Sequence, residues 1–363
     1  MTVARVGHTA TVLTDGQVLV IGGANAEIGV VASVEIYDPA TENWELADDI
    51  TTVRVGHTAT LLSDGRVLVV GGVGPDGDTP VTGAEFFDPT SGTWSSAGIV
   101  LTPRLGHTAT LLNDGRVLVV GEDNLYEPNA ELFDPQTGTW LQAGSPAGPR
   151  FRHTATLLSD GRVLVAGGVL KVDGTPTGSV EIFDPFTDLW SSAASMAEAR
   201  SRHSAVAMTN GRVMISSGAS TSDDGPGGEL ASTEIFDPAT GQWATITPAC
   251  DARYSHSGSL IADWGDGHLV LGGGQGEKKA ADTVISYDPA TNRWSKATGL
   301  RLVRVGAAIS LMTDGSVIIA GGSLKSSYEV ATLREDPEVQ SAVVTYRPAD
   351  IEWEQCEPFV ASP

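Results

Sequence analysis

The chain is expected to be all-β: a closed, seven-bladed β-propeller with four short antiparallel strands per blade. Three observations lead there. An Arg-x-x-His core recurs at a period near 50 residues, a tryptophan recurs at a fixed place in each period, and every period carries the same two turn signals. A repeat of that length covering nearly the whole chain is the mark of a propeller or solenoid and has to be read before anything else.

The Arg-x-x-His core appears as Arg5/His8, Arg54/His57, Arg104/His107, Arg150/His153, Arg200/His203 and Arg253/His256. A seventh copy, at Arg304, has Ala307 in place of the histidine. The tryptophans are Trp44, Trp94, Trp140, Trp190, Trp243, Trp294 and Trp353, with Trp264 alone outside the series. The units run approximately over 5–49, 54–99, 104–145, 150–195, 200–248, 253–299 and 304–359, within one domain spanning 1–363. Each should be contiguous in sequence, with the seventh docking on the first.

Within the second unit, residues 57–62 (HTATLL) predict strand a. Asp64-Gly65 gives a tight hairpin, because this pair tolerates positive φ. Residues 66–70 (RVLVV) predict strand b, closed by Gly71-Gly72. Residues 84–87 (AEFF) predict strand c, and DPTSGTW predicts the turn into strand d near Trp94, with Pro89 fixing φ. Four such strands, repeated around a ring, leave few open sheet edges.

The paired glycines after strand b, the Asp-Pro, and the tryptophan about six residues later resemble kelch repeats. Copies such as DGRVLVVGG at 64–72 and DGRVLVAGG at 160–168 also resemble the propeller of galactose oxidase. The resemblance implies the fold and says little about function, since one fold hosts many roles. It does not imply copper chemistry. The positions two residues after each arginine are Gly7, Gly56, Gly106, Arg152, Arg202, Ser255 and Gly306, so the family's tyrosine is missing, and Cys250 is out of place for a crosslink.

Composition narrows the partners. The chain has 363 residues, 41% of them hydrophobic, and a formal net charge of −23. Such an acidic surface repels phosphate backbones and anionic membranes. No apolar run is long enough for a transmembrane helix. Cys250 and Cys356 make no disulfide framework. Their places, in the link between units 5 and 6 and in strand d of unit 7, are expected to keep them apart as free thiols. The compartment is open, with extracellular or periplasmic favoured over cytoplasmic.

Strand order puts the d–a and b–c loops on one face and the a–b and c–d turns on the other. The turns are short and near-identical, whereas the b–c loops vary: Ala24–Ala32, Val73–Thr82, Val169–Thr177, Ala219–Ala231 and Ser323–Gln340. Loops on a rigid scaffold are where function usually sits. The seven repeat arginines, Arg5, Arg54, Arg104, Arg150, Arg200, Arg253 and Arg304, precede the innermost strand on that same face and are the candidate ligand-binding residues. Guanidinium groups hold carboxylates or phosphates through paired hydrogen bonds. The resemblance agrees, because kelch adaptors of ubiquitin ligases that recognise acidic peptides use arginines at matching places. Arg152 and Arg202 add charge in two units.

A structural alternative stands beside this. Glu35, Glu85, Glu131, Glu181 and Glu234 on strand c begin near the same face, and buried ionic groups need partners. Ile285 and Val344 occupy that place in units 6 and 7, which makes Arg253 and Arg304 the better ligand candidates. The six histidines are too widely spaced for one metal ion and should tie blades together. The acidic pairs Asp223-Asp224 and Asp263/Asp266 fit no calcium loop. Neither a cofactor nor a metal is expected. The resulting expectation is a non-catalytic, monomeric binding module for a protein, peptide or glycan, acidic ligands included, with no nucleic-acid or membrane partner. An enzyme acting on a carbohydrate or small acid at the same channel mouth, and a structural domain of a larger secreted bacterial protein, are the alternatives.

Overall fold

The computed structural model describes residues 1–25, 27–121, 129–170, 174–221, 228–250, 252–254, 269–272, 275–276, 284–297, 308–312, 316–322, 343–346 and 354–356. The repeat becomes a set of antiparallel sheets. In unit 2 strand a is Thr58–Leu61, strand b Val67–Val70, strand c Gly83–Asp88 and strand d Thr93–Ile99, paired in that order. Units 1, 3, 4 and 5 follow the same order.

The turns work as their residues predict. Leu62 N donates to Arg66 O at 2.8 Å while the Asp64 carboxylate accepts from Arg66 N at 3.0 Å, closing the a–b hairpin. In the c–d turn Gly92 N donates to Asp88 O at 2.8 Å and Asp88 Oδ1 accepts from Thr90 N.

Burial explains the residue choice along each sheet. In units 1 to 5 strand b is buried at every position, as in Val67–Val70 and Val117–Val120. It must therefore be a continuous apolar run, because neighbouring sheets cover both of its faces. In units 1 to 5 strand d lies at the rim and is mostly exposed apart from its half-buried tryptophan. The core sits between units: Leu68, Val70, Phe86 and Ala97 of unit 2 pack on Val117, Val119 and Phe133 of unit 3, with Trp140 against them.

Three expectations are corrected. Seven four-stranded blades were expected; among the described residues six sheets have four strands, and the seventh unit forms a three-stranded sheet of Ala308–Leu311, Val317–Ala320 and Val343–Tyr346. Unit 7 is also not contiguous. Its last described strand, Glu354–Gln355, pairs with Arg293–Ala297 of unit 6, through Ser295↔Gln355 and Lys296↔Glu354. The cysteines are corrected as well: Cys250 and Cys356 are joined in a disulfide, with Cα atoms 5.7 Å apart. The strand that carries Cys356 lies along unit 6, beside the link that carries Cys250, so the distance assumed from unit 7 does not apply. Both sulfurs pack against the buried cluster of Ala249, Ile285, Tyr287 and Trp294.

Candidate functional site

In units 1, 2, 4, 5 and 6 the d–a link and the b–c loop meet at the inner end of the sheet. Val6 bridges Ala24, Val55 bridges Val73, and Ser201 bridges Ala219. In units 4 and 6 the contact grows into two-residue ladders, Arg150–Phe151 with Val169–Leu170 and Arg253–Tyr254 with Gln275–Gly276. The two loop sets therefore share one face and are stitched to each other.

Beneath this face lie the repeat arginines. Arg5, Arg54, Arg104, Arg150, Arg200 and Arg253 are all buried, none more than 3% exposed. Five of them pair with the strand c glutamate of their own unit: Arg5–Glu35 at 2.6 Å, Arg54–Glu85, Arg104–Glu131 and Arg150–Glu181 each at 2.5 Å, and Arg200–Glu234 at 2.9 Å. Their Nη1 groups donate to carbonyls at the end of strand b and the start of strand c, such as Gly22 O and Ser33 O for Arg5. Burial pulls the pKa values of Arg5, Arg54, Arg150 and Arg200 down from the usual range, and the facing glutamate opposes that pull, as at Arg54 and Glu85.

The glutamate does a second job that sequence reasoning missed. Its carboxylate also caps the d–a link, accepting from Thr51 N and Thr52 N at Glu85, and from Leu101 N and Thr102 N at Glu131. In unit 1 the chain start fills this place, with Thr2 N and Val3 N donating to Glu35. The only available signal was an acidic residue inside an otherwise apolar strand, as in VEIYD and AEFFD.

Arg253 is buried, and although the facing strand c residue Ile285 is apolar, Arg253 is not without a partner. Arg304, His256, His268, Trp264, Trp353, Asp223-Asp224, Asp263/Asp266 and the loop 323–340 lie outside the described residues.

The histidines tie units together. His57 Nε2 bonds Thr9 Oγ1 of the preceding unit at 3.0 Å, and His107–Thr58, His153–Thr108 and His203–Thr154 repeat the contact. Burial holds His57, His107 and His153 in the neutral form, with His107 lowered to about 3. The first glycine of the pair after strand b makes room for this ring. At Gly71 (φ 67°) an added Cβ would lie 2.6 Å from His107 Cε1 and 2.7 Å from Arg104 O. At the rim, Trp94, Trp140, Trp190, Trp243 and Trp294 each donate Nε1–H to a backbone carbonyl of the preceding unit, for example Trp140 to Ala97 O at 2.8 Å.

Backbone bonds also join neighbouring units on this face: Gly56 N donates to Gly7 O at 3.0 Å, Arg152 N to Gly106 O at 2.9 Å and Arg202 N to Arg152 O at 3.0 Å. The chemistry-bearing residues thus recur by unit and are spent on joining units. Among the described residues no group of three or more His, Cys, Asp or Glu side chains could hold a metal ion.

The sequence matches the KLHDC2/KLHL20/DRC7 Kelch-repeats domain over residues 1–168 and the Kelch motif over residues 150–197. No curated protein matches it significantly. Among solved structures, the one titled "Structure of YjhT" superposes with a TM-score of 0.61 at 16% identity, covering 81% of this chain and 97% of that one. At that identity the likeness speaks for the fold alone.

Proposed function

We propose that this chain, which belongs to the kelch-repeat β-propeller family, is a binding module that takes its ligand on the d–a/b–c face. The fold is consistent with a protein-interaction domain. One observation carries the finer reading: the a–b and c–d turns are near-copies of one another, whereas the varied b–c loops are stitched by backbone bridges onto a buried ionic frame. A rigid platform that carries all the variation is what a recognition surface requires.

The repeat arginines enter this reading as the frame that sets the d–a links. A ligand that reached Arg104 directly would have to displace Glu131 and uncover the amides of Leu101 and Thr102. We include Arg304 with them, and a seventh blade completing the ring. Support for that closure comes from Gly322 N donating to Arg5 O at 3.0 Å, and from Met312 and Ile318 packing on Val18 and Tyr37. The Cys250–Cys356 bridge supports an oxidising compartment.

The test is a peptide and glycan array probed with the full chain and two variants. One replaces residues 73–82 with a short Gly-Ser loop; the other is Asp64→Ala/Arg66→Ala on the opposite face. Ligands bound by the chain should be lost or reordered by the loop variant and kept by the turn variant. The reverse pattern would move the binding surface to the other face.

A further inference from the structure

The sheet of unit 6 differs from its neighbours at the rim. In units 1 to 5 strand d is the outermost strand. In unit 6 a further antiparallel strand, Glu354–Gln355, lies outside strand d, Arg293–Ala297. Cys356 N extends the pairing by donating to Trp294 O at 3.3 Å. Burial changes with it. Trp294 is 2% exposed, whereas Trp44, Trp94, Trp140, Trp190 and Trp243 are half-buried. Ser295 and Lys296 are half-buried, whereas the matching pairs, such as Leu141-Gln142 and Ser191-Ser192, are exposed.

The edge is matched to this strand. Strand d of units 1 to 5 carries no lysine or arginine, and strand d of unit 6 carries one of each. Arg293 Nη1 donates to Gln355 Oε1 at 3.2 Å, and Lys296 Nζ lies 3.9 Å from Glu354 Oε2. These contacts set the register but hold weakly. Glu354 and Gln355 are both exposed, and an exposed ion pair adds little. A segment with few buried contacts and solvent-reached hydrogen bonds is among the first to open. The firm attachment is covalent. Cys356 is bonded to Cys250 in the link between units 5 and 6. Both cysteines are half-buried, against the cluster that joins Met208 and Ile235 of unit 5 to Tyr287 and Trp294 of unit 6.

We propose that Glu354–Cys356 is a redox-released clasp on the rim of unit 6. The bridge locks it in place, and a dithiol reductant opens it. One thiolate of the reductant attacks a sulfur of the bridge, and its second thiol resolves the mixed disulfide. The two hydrogens of the dithiol end on Cys250 and Cys356, and the reductant leaves as its own disulfide. With only the exposed contacts left, the strand lifts away. The outer edge of Arg293–Ala297 and Trp294 then become as accessible as their counterparts in units 1 to 5, which stay as they are. A bare strand edge offers unpaired N–H and C=O groups to an added strand, so release turns a closed rim into a strand acceptor.

The test is hydrogen–deuterium exchange on the full chain, oxidised and after dithiothreitol, with Cys250→Ser/Cys356→Ser as the bridge-free reference. Thiol titration should show both cysteines free after reduction. Residues 354–356 should then exchange about tenfold faster or more, as in the variant, while strand d of units 1 to 5 keeps its rates. Unchanged protection of 354–356 after reduction overturns the clasp, because the strand is then held without the bridge. Faster exchange that spreads over strand d of units 1 to 5 overturns it also, because the bridge then holds the whole ring. A bridge that yields no thiols to excess dithiothreitol overturns it as well. If the variant does not fold, the reduced parent decides the matter by itself.

Discussion

Replacing Glu131 with alanine tests whether the ionic frame holds the face in place. Glu131 is fully buried and accepts from Arg104 Nη2 at 2.5 Å, Arg104 Nε at 3.2 Å, Leu101 N at 2.8 Å, Thr102 N at 3.1 Å and Thr102 Oγ1 at 2.8 Å. Without it the Arg104 guanidinium stays buried with carbonyl and amide oxygens for company, Gly121 O at 2.7 Å and Asn129 Oδ1 at 3.2 Å, but no countercharge. Removing one partner of a buried pair costs about 3–5 kcal/mol. The remaining oxygens place the loss in the lower half of that range, and the two uncapped amides raise it again by about 1 kcal/mol each. Taking both partners out together, as Arg104→Met/Glu131→Ala, removes the stranded charge. The double variant should therefore cost at least about 2 kcal/mol less than the sum of the singles. Urea unfolding of the four proteins gives the cycle. A Glu131→Ala loss below about 1 kcal/mol, or strictly additive singles, would show that the pair does not form the frame described.

Acid should act through the histidines. The folded pKa values of His57, His107 and His153 lie below the unfolded value, so their neutral form adds stability that is complete above pH ~6.5 and drains as pH falls, toward about 3 for His107. His107 should cost about 2 kcal/mol between pH 7 and 5, and His107→Gln should flatten the pH dependence of the urea midpoint in that window. Gly71→Ala should destabilise by several kcal/mol, since its Cβ meets Arg104 O as well as the His107 ring at a positive φ; an unchanged midpoint would refute the close approach. Trp243→Phe removes the hydrogen bond to Ala194 O at 2.7 Å while keeping ring packing on Phe236, and should cost about 1 kcal/mol in the same assay. Reducing the Cys250–Cys356 bridge, which spans 106 positions, should lower the urea midpoint by an amount equivalent to about 4–5 kcal/mol, and Cys250→Ser/Cys356→Ser should be insensitive to reductant.

Much of the architecture was legible because each residue's neighbours are set by the repeat. Asp64-Gly65 could only be a hairpin, and a run such as Val67–Val70 between two turns could only be an inner strand. Pairing of Arg54 with Glu85 was readable from their recurrence together. Other features depended on where the chain travels after the repeat ends. Glu354–Gln355 looked like the rim strand of unit 7, and nothing local in those residues says that it lies along unit 6. The bridge to Cys250 was missed for the same reason. At the mouth, Arg152 and Arg202 stood out as extra charge, but their left-handed backbone is a property of the ring and invisible in composition.

The contacts between units run in both directions. His107 and Trp140 reach back to unit 2, while Gly72 N reaches forward to Arg104 O at 2.9 Å. Each of units 2 to 5 therefore carries a plug on one side and a socket on the other. A gene segment copied in frame would arrive with both, and every joint it made would match the ones already present. How many copies a ring of this kind holds is then decided by the angle between successive units, and the residues at any one joint place no limit on it.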